Sequence, residues 1–300
     1  METKCKYSEW TRGQIEALLN IVGEENARKL ISGNVSPKFE KVVEKLFDKN
    51  GRRVPKGLHS GVCDADRDFR LEQPRFETDN DYNIGLQRLH ECLGIDTGVS
   101  PEQFREESVR LWANIQSDYR VAGITNGVGL PVILPKLVTN DLGAELELYL
   151  AGVKKGYARI FGDREFYNHC KSELANKVSI AGGSRHDQLI ARMKEGPVVG
   201  IHFPNPLQGF SNNASCEQMS TLPWGFVLSG LDTPIAMVMH LDNLACGRYT
   251  PVLGLAALLR PSVGFSLGFW SSNKGLGFGS LPSLVEARSF QSGGLLFIGS

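Results

Sequence analysis

The sequence predicts an α+β protein: a helical N-terminal module, a helical middle region and a mostly β C-terminal domain. Capped segments with helical periodicity fill the first two thirds. At Gly196-Pro197 they give way to short β-branched or aromatic runs broken by Gly, Pro and Asn. Charge vanishes at the same place. Residues 197–300 hold eight strong acids and bases (Glu217, Asp232, Asp242, Arg248, Arg260, Lys274, Glu286 and Arg288), whereas the first fifty residues hold seventeen. These shifts divide the chain into a helical module over 1–50, an irregular connection over 51–78, a mainly helical region over 79–196 and a Gly/Ser/aromatic-rich β domain over 197–300.

Thr11-Arg-Gly-Gln14 reads as a capping box, with Ile15, Leu18, Leu19 and Val22 at helical spacing before Gly23. A second helix over 24–32 closes at Gly33. Ser36-Pro37 opens a third, with Phe39, Val42, Val43 and Leu46 on one face. Helical pattern resumes over 81–93, ending at Gly94, and Ser100-Pro101-Glu102-Gln103 starts a helix through 117. Pro131 and Pro135 make 127–136 a buried loop or short strand. The clearest long helix covers 141–161, and shorter ones are expected over 164–175 and 186–194. In the last third, strands are expected over 198–203, 226–228, 235–239, 265–269 and 295–298, with short helices over 214–219 and 253–259.

Composition narrows the function. The chain of 300 residues has a formal net charge of zero, which disfavours general nucleic-acid binding. Six scattered cysteines without a C-x-x-C fit reduced thiols, not a disulfide or zinc framework. The N-terminus lacks the apolar core of a signal peptide, and no run of about eighteen apolar residues exists. A cytoplasmic protein with no membrane partner is expected.

Several clusters resemble chemical sites. Ser184-Arg185-His186-Asp187 sets Ser, His and Asp side by side, but neighbours on one helical turn diverge, and Ser184 serves better as a cap. His169-Cys170 and His202 lack a second ligand at zinc spacing. Residues 63–68 lack the central Gly and distal Glu of a calcium loop. Gly277-Phe-Gly279 and Gly293-Gly294 do not stand between a strand and a helix, so no phosphate cradle is expected. No metal or cofactor is called for. The C-terminal aromatics divide. Phe265, Leu267, Phe269 and Phe278 alternate with small residues as core positions do. Trp270-Ser271-Ser272-Asn273-Lys274 is expected at a turn, with a large ring beside small polar groups. Arg248-Tyr249 and Arg288-Ser289-Phe290 share that makeup, which is common in binding surfaces.

Lys136-Leu137 with Thr139-Asn-Asp-Leu-Gly143, Gly183-Ser-Arg-His-Asp-Gln188, Gly200-Ile-His-Phe-Pro204 and Phe226-Val-Leu-Ser-Gly-Leu-Asp-Thr-Pro234 carry a resemblance over most of the chain. They resemble an uncharacterised protein family of uncultivated, small-genome bacteria, which brings no activity with it. The C-terminal end also resembles the variable region of proteins diversified by a diversity-generating retroelement. That resemblance implies a C-type-lectin-like fold and binding through residues near the C-terminus. Arg248, Tyr249, Gly264, Phe265, Gly268, Trp270, Ser271, Ser272, Asn273, Gly277, Ser289 and Phe290 are compatible with the residue types such diversification leaves.

The expectation is a non-enzymatic ligand-binding protein, its partner an unnamed protein or small molecule. Trp270, Tyr249 and Phe290 would be anchors, Arg248 and Arg288 would add charge-assisted contacts, and Ser271, Ser272 and Asn273 would adapt. Phe265 and Ser289 complete the set. Two alternatives stand beside it. One is an enzyme using His186, Asp187 and His202 between the helical and β regions. The other is a structural, oligomerising protein.

Overall fold

The computed structural model describes residues 11–33, 35, 44–162, 164–171, 173–245, 247, 249–260, 264–281 and 283–299. It divides into two compact units, Met1–Val43 and Glu44–Ser300. The first holds α1 (Arg12–Val22) and α2 (Glu24–Ile31). The capping box forms as expected: Gln14 N–H donates to Thr11 Oγ1 at 3.3 Å, and Thr11 N–H donates to Gln14 Oε1 at 2.9 Å. The third helix expected from Ser36 falls mostly outside the described residues. Leu46, its last apolar position, is buried in the second unit, beside a non-helical bridge between Phe47 and Arg53.

The second unit is a single mixed sheet with helices. Its helices are α3 (Asp79–Leu93), α4 (Pro101–Ser117), α5 (Leu142–Phe161), α6 (His186–Glu195), α7 (Asn212–Met219), α8 (Asp232–Met239) and α9 (Leu241–Leu244). Its strands are β1 (Leu130–Leu134), β2 (Glu165–Asn168), β3 (Ser179–Ile180), β4 (Val198–Gln208), β5 (Phe226–Leu228), β6 (Val252–Arg260), β7 (Phe265–Ser272), β8 (Gly275–Leu281) and β9 (Gln291–Phe297). The main order is β1-β4-β9-β6-β7-β8-β2, with β3 on β6 and β5 on β9. The α+β class therefore holds, and the strands of the last third share one sheet with β1, β2 and β3 from the middle of the chain. Among the described residues no helix is long and apolar enough to cross a membrane.

The last strand joins the halves. One edge of β9 pairs with β4. Its other edge is divided: residues 291–293 pair in parallel with β6, and residues 295–297 pair antiparallel with β5. Pro204 and Pro206 interrupt β4 and cannot donate to the ladder, and the β4–β9 register shifts between Phe203 and Leu207. Successive residues of β9 alternate between two cores. Leu296 faces the core built with α3, α5 and α8, while Leu295 and Phe297 face the one built with α4 and α7. In β6 this alternation breaks at Ala256-Ala257, both on the second face, where the register against β7 also shifts.

Three expected elements change type. The described residues within 164–175 form β2 and a turn, because the edge of β8 offers Glu165–Asn168 a parallel partner and Phe166 packs on the core. Residues 235–239 belong to α8, every residue of which is buried. Residues 253–259 belong to β6. Each of the last two is apolar on both sides, and such a run has no period by which to tell helix from strand. Pro131 sits in β1, an edge strand, where its missing N–H leaves no ladder gap.

β9 approaches its neighbours too closely for side chains at two positions. A Cβ at Gly294 would lie 2.7 Å from Ser229 Oγ and 3.1 Å from the Phe203 carbonyl oxygen. Gly294→Ala should therefore lower stability by about 1–3 kcal/mol through overpacking. Gly182→Ala, where no atom lies within 4 Å of the new Cβ, should stay within about 0.5 kcal/mol. Denaturant midpoints of the two variants check this; equal midpoints would remove the close-packing role of β9.

Candidate recognition surface

In β8 the sequence Gly275-Leu-Gly-Phe-Gly279 alternates with period two, and the strand separates the two residue types. Leu276 and Phe278 are fully buried in the core. The three glycines lie on the opposite face, and aromatic rings occupy the space that side chains would take. Trp270, paired with Gly277 across β7–β8, lies against it: a Cβ there would meet the indole Cε2 and Nε1 at 2.3 Å. A Cβ at Gly279 would lie 3.1 Å from both the indole and His169 Cβ; one at Gly275 would meet the Glu165 carbonyl oxygen first, with the Tyr167 ring next at 3.2 Å. The His169 and Trp270 rings are 5.3 Å apart and inclined by 30°, and Tyr167 and His169 are 6.5 Å apart and inclined by 34°. Tyr167 is 45% exposed, His169 is exposed and Trp270 is half-buried. The Glu165 carboxylate beside Tyr167 raises its pKa and keeps the phenol protonated. Three shallowly inclined rings thus form one aromatic row on a glycine floor.

Trp270 is therefore a strand residue that continues the alternation outward, with Phe269 facing in; the turn lies at Asn273-Lys274. Ser271 and Ser272 hold structure. Gly247 N–H donates to Ser271 Oγ at 2.9 Å, and Ser271 Oγ donates to the Ala245 carbonyl at 3.3 Å. Ser272 Oγ donates to the Gly275 carbonyl and accepts from Lys274 N–H, closing the hairpin. Asn273 stays exposed at its tip. Pairing places Tyr249 and Phe290, which precede β6 and β9, at this same end of the sheet. Tyr249 is half exposed, while the Phe290 ring packs on Phe69 at 6.2 Å.

The other expected residues are spread out. The Ser289 carbonyl accepts from Asp66 N–H and Gln208 Nε2, and Arg288 pairs with Glu286 at 2.9 Å. Phe265 is exposed, unlike Leu267, Phe269 and Phe278, and sits at the far end of β7, roughly 23 Å from Ser272 at 3.3 Å per residue. Arg248 lies outside the described residues. Tyr167 was missed by sequence reasoning, and His169 was weighed only as a metal ligand. Their one local signal was the alternation of Phe166 with its neighbours, read there as helix.

No protein-family model matches the chain, and comparisons with curated proteins and solved structures give no match. Function rests on the site itself.

The three residues of the alternative catalytic site do not meet in a pocket. His186 and His202 are buried in the core, and Asp187 is exposed. The carboxylate beside His202 is that of Asp232: its Oδ2 lies 2.8 Å from His202 Nδ1, and its Oδ1 accepts from Gly230 N–H at 2.6 Å. Burial alone would raise the Asp232 pKa. The hydrogen bond from His202, the two imidazoles and the Gly230 N–H outweigh it, and the pKa falls below the ordinary value. His186 Nε2 accepts from Leu231 N–H at 3.2 Å, so its Nδ1 carries the proton facing the Leu228 carbonyl at 3.1 Å. Among the described residues no group of three metal-ligating side chains converges.

Burial also depresses His186, and it brings His240 down to about 4, with Arg88 and His202 adding to the fall and the Pro131 carbonyl opposing it. The unfolded chain, whose histidines titrate near 6.5, then binds more protons than the folded one between about pH 6.5 and 4. Stability from these groups is fully present above that window and should be lost as pH falls through it. Asp232 extends the loss to lower pH. His240→Gln, which keeps a donor for the Pro131 carbonyl, should flatten the decline by roughly 1 kcal/mol per pH unit. Urea midpoints from pH 7 to 4 measure it; an unchanged slope would mean that His240 is not held neutral.

Proposed function

We propose that the protein is a non-enzymatic ligand-binding protein whose recognition surface is the outer face of β7, β8 and β2 with the adjoining strand ends. The aromatic row Trp270–His169–Tyr167 on the glycines of β8 supports this most directly. A soluble domain gains more by burying rings than by leaving three on an open face, and aromatic rings of low rotamer freedom are favoured contact residues. Tyr249, Asn273 and Phe290 extend the surface at the hairpin end, and Ser271 and Ser272 fix the hairpin that carries it. The strand ends contribute few charges, so the partner is recognised by shape, stacking and hydrogen bonding. The C-type-lectin-like likeness remains one of sequence.

Diversification by a retroelement would fit only part of this surface. Gly277 cannot gain a side chain without moving Trp270, and a Cβ at Gly268 would lie 2.5 Å from Leu281 Cδ1. If the gene end is diversified, a near-copy stands in the flanking DNA, and its differences map to Tyr249, Asn273 and Phe290 while sparing Gly268 and Gly277. Absence of such a copy removes that part of the proposal.

Binding itself is tested by selecting ligands on the wild-type chain from peptide and glycan arrays. Trp270→Ala and Tyr167→Ala should each weaken the selected ligands by about tenfold or more, the loss of one stacked ring. Val285→Ala, at an exposed position off the row, should not. Gly277→Ala should shift Trp270 emission and weaken binding in parallel. Ligands that bind all four variants like the wild type would overturn the assignment.

A further inference from the structure

A cleft of about 290 Å³ opens between α4, the segment over 73–76 and the first edge strand, β1. It lies at the opposite edge of the sheet order from β2. We propose that it is a second, independent binding site, which takes a small, neutral, planar apolar molecule.

The lining decides the ligand class. Among the described residues no Asp, Glu, Lys, Arg or His lines the cleft, in a chain in which such residues are common. A charged ligand would leave water here without a partner for its charge. His240 lies beneath the floor, stacked edge-on against Phe76 at 5.6 Å with its Nε2 on the Pro131 carbonyl. Burial keeps it neutral. Two polar groups of the walls are already engaged, while the exposed Gln116 amide stands at the rim. Gln73 closes both ends of its amide on Gly129, accepting from its N–H at 2.8 Å and donating to its carbonyl at 3.0 Å. Ser108 Oγ donates to the Phe104 carbonyl at 2.8 Å. What the cleft offers is therefore mainly apolar and aromatic surface, with uncharged polar groups beside it.

The geometry favours a flat molecule. Trp112 stacks on Phe203 at 6.0 Å and 23°. A Cβ at Gly129 would lie 2.4 Å from the Trp112 ring, so glycine is what lets the indole form this wall. Val109, on the preceding turn of α4, stands 55% exposed beside the opening. A volume near 290 Å³ lies at the small end of ligand pockets, roughly 300–1,000 Å³. That suits two fused or linked rings better than a lipid chain or a folded partner.

The test uses the full chain and 1-aminonaphthalene, a fluorophore of two fused rings that is neutral at pH 7. Saturable binding of one molecule per chain is expected, with dye emission sensitised by excitation of Trp112. Ala113→Phe fills the cleft from an exposed helix position. It should weaken binding about tenfold or more, the scale of an overpacked site, with an unchanged melting temperature. Trp112→Phe should keep binding while losing most of the sensitised emission. Trp270→Ala should alter neither, which separates this site from the recognition surface. No saturable binding, wild-type affinity in Ala113→Phe, or loss of binding in Trp270→Ala would each overturn the proposal. A dye-induced rise in mass with protein concentration, marking a cleft shared between copies, would overturn it too.

Discussion

Everything in the larger unit depends on β9 finding its place between β4 and the pair β5 and β6. Until residues 291–297 arrive, the strand β4, which holds β1, and the β6–β7–β8 hairpins have no common partner. The closure joins the last strand of the chain to strands about 67 to 96 residues earlier in sequence, a non-local pairing whose loop entropy must be met before its contacts form. Gly293 and Gly294 make the closure possible sterically. A Cβ at either would press on Ser215 Oγ or Ser229 Oγ. Backbone proximity at β9 thus sets the sheet, and the sheet sets both edges at which binding is proposed.

The scarcity of charge in residues 197–300 follows mostly from this arrangement. β4, β5, β6 and β9 are covered on both faces, and a strand buried twice reads as nearly continuous apolar sequence. The proposed contact surface accounts for only a small part of it, on the outer face of β7 and β8. There glycine does the work that helices do elsewhere, since it lets rings lie flat on the strand in place of a covering layer. The same residue type therefore serves two ends: close backbone approach inside at β9, and a floor for aromatics outside at β8.

Local signals were legible in the sequence and tertiary ones were not. Thr11 with Gln14 and Ser100 with Gln103 announced their helices because a cap is a contact within four residues. The residues of α8 and β6 gave the wrong type because complete burial erases the period that separates helix from strand. At the surface, Trp270 and Tyr249 could be picked out by composition. Tyr167 and His169 could not, for they reach Trp270 only through the parallel pairing of β2 with β8, about a hundred residues away in sequence. Asp232 was hidden in the same manner. Adjacency pointed to Asp187, but the buried carboxylate arrives from the start of α8.

That buried carboxylate explains why so polar a cluster sits in an apolar core. The turn from β5 into α8 runs through the interior, where each backbone N–H and C=O must be paired. Sheet pairing ends at Leu228. Beyond it, side chains and neighbouring backbone take over: Asp232 receives the Gly230 N–H, and His186 bridges the Leu228 carbonyl and the Leu231 N–H. Ser229 exchanges bonds with the Gly294 carbonyl and the Ala257 N–H. His202 then neutralises the cost of burying the Asp232 charge, because an unpaired carboxylate at that depth would be strongly destabilising. His, Asp and Ser side chains near one another resemble a triad in composition. Here their partners are largely the backbone of a buried turn, and the cluster does the work that water does in an exposed one.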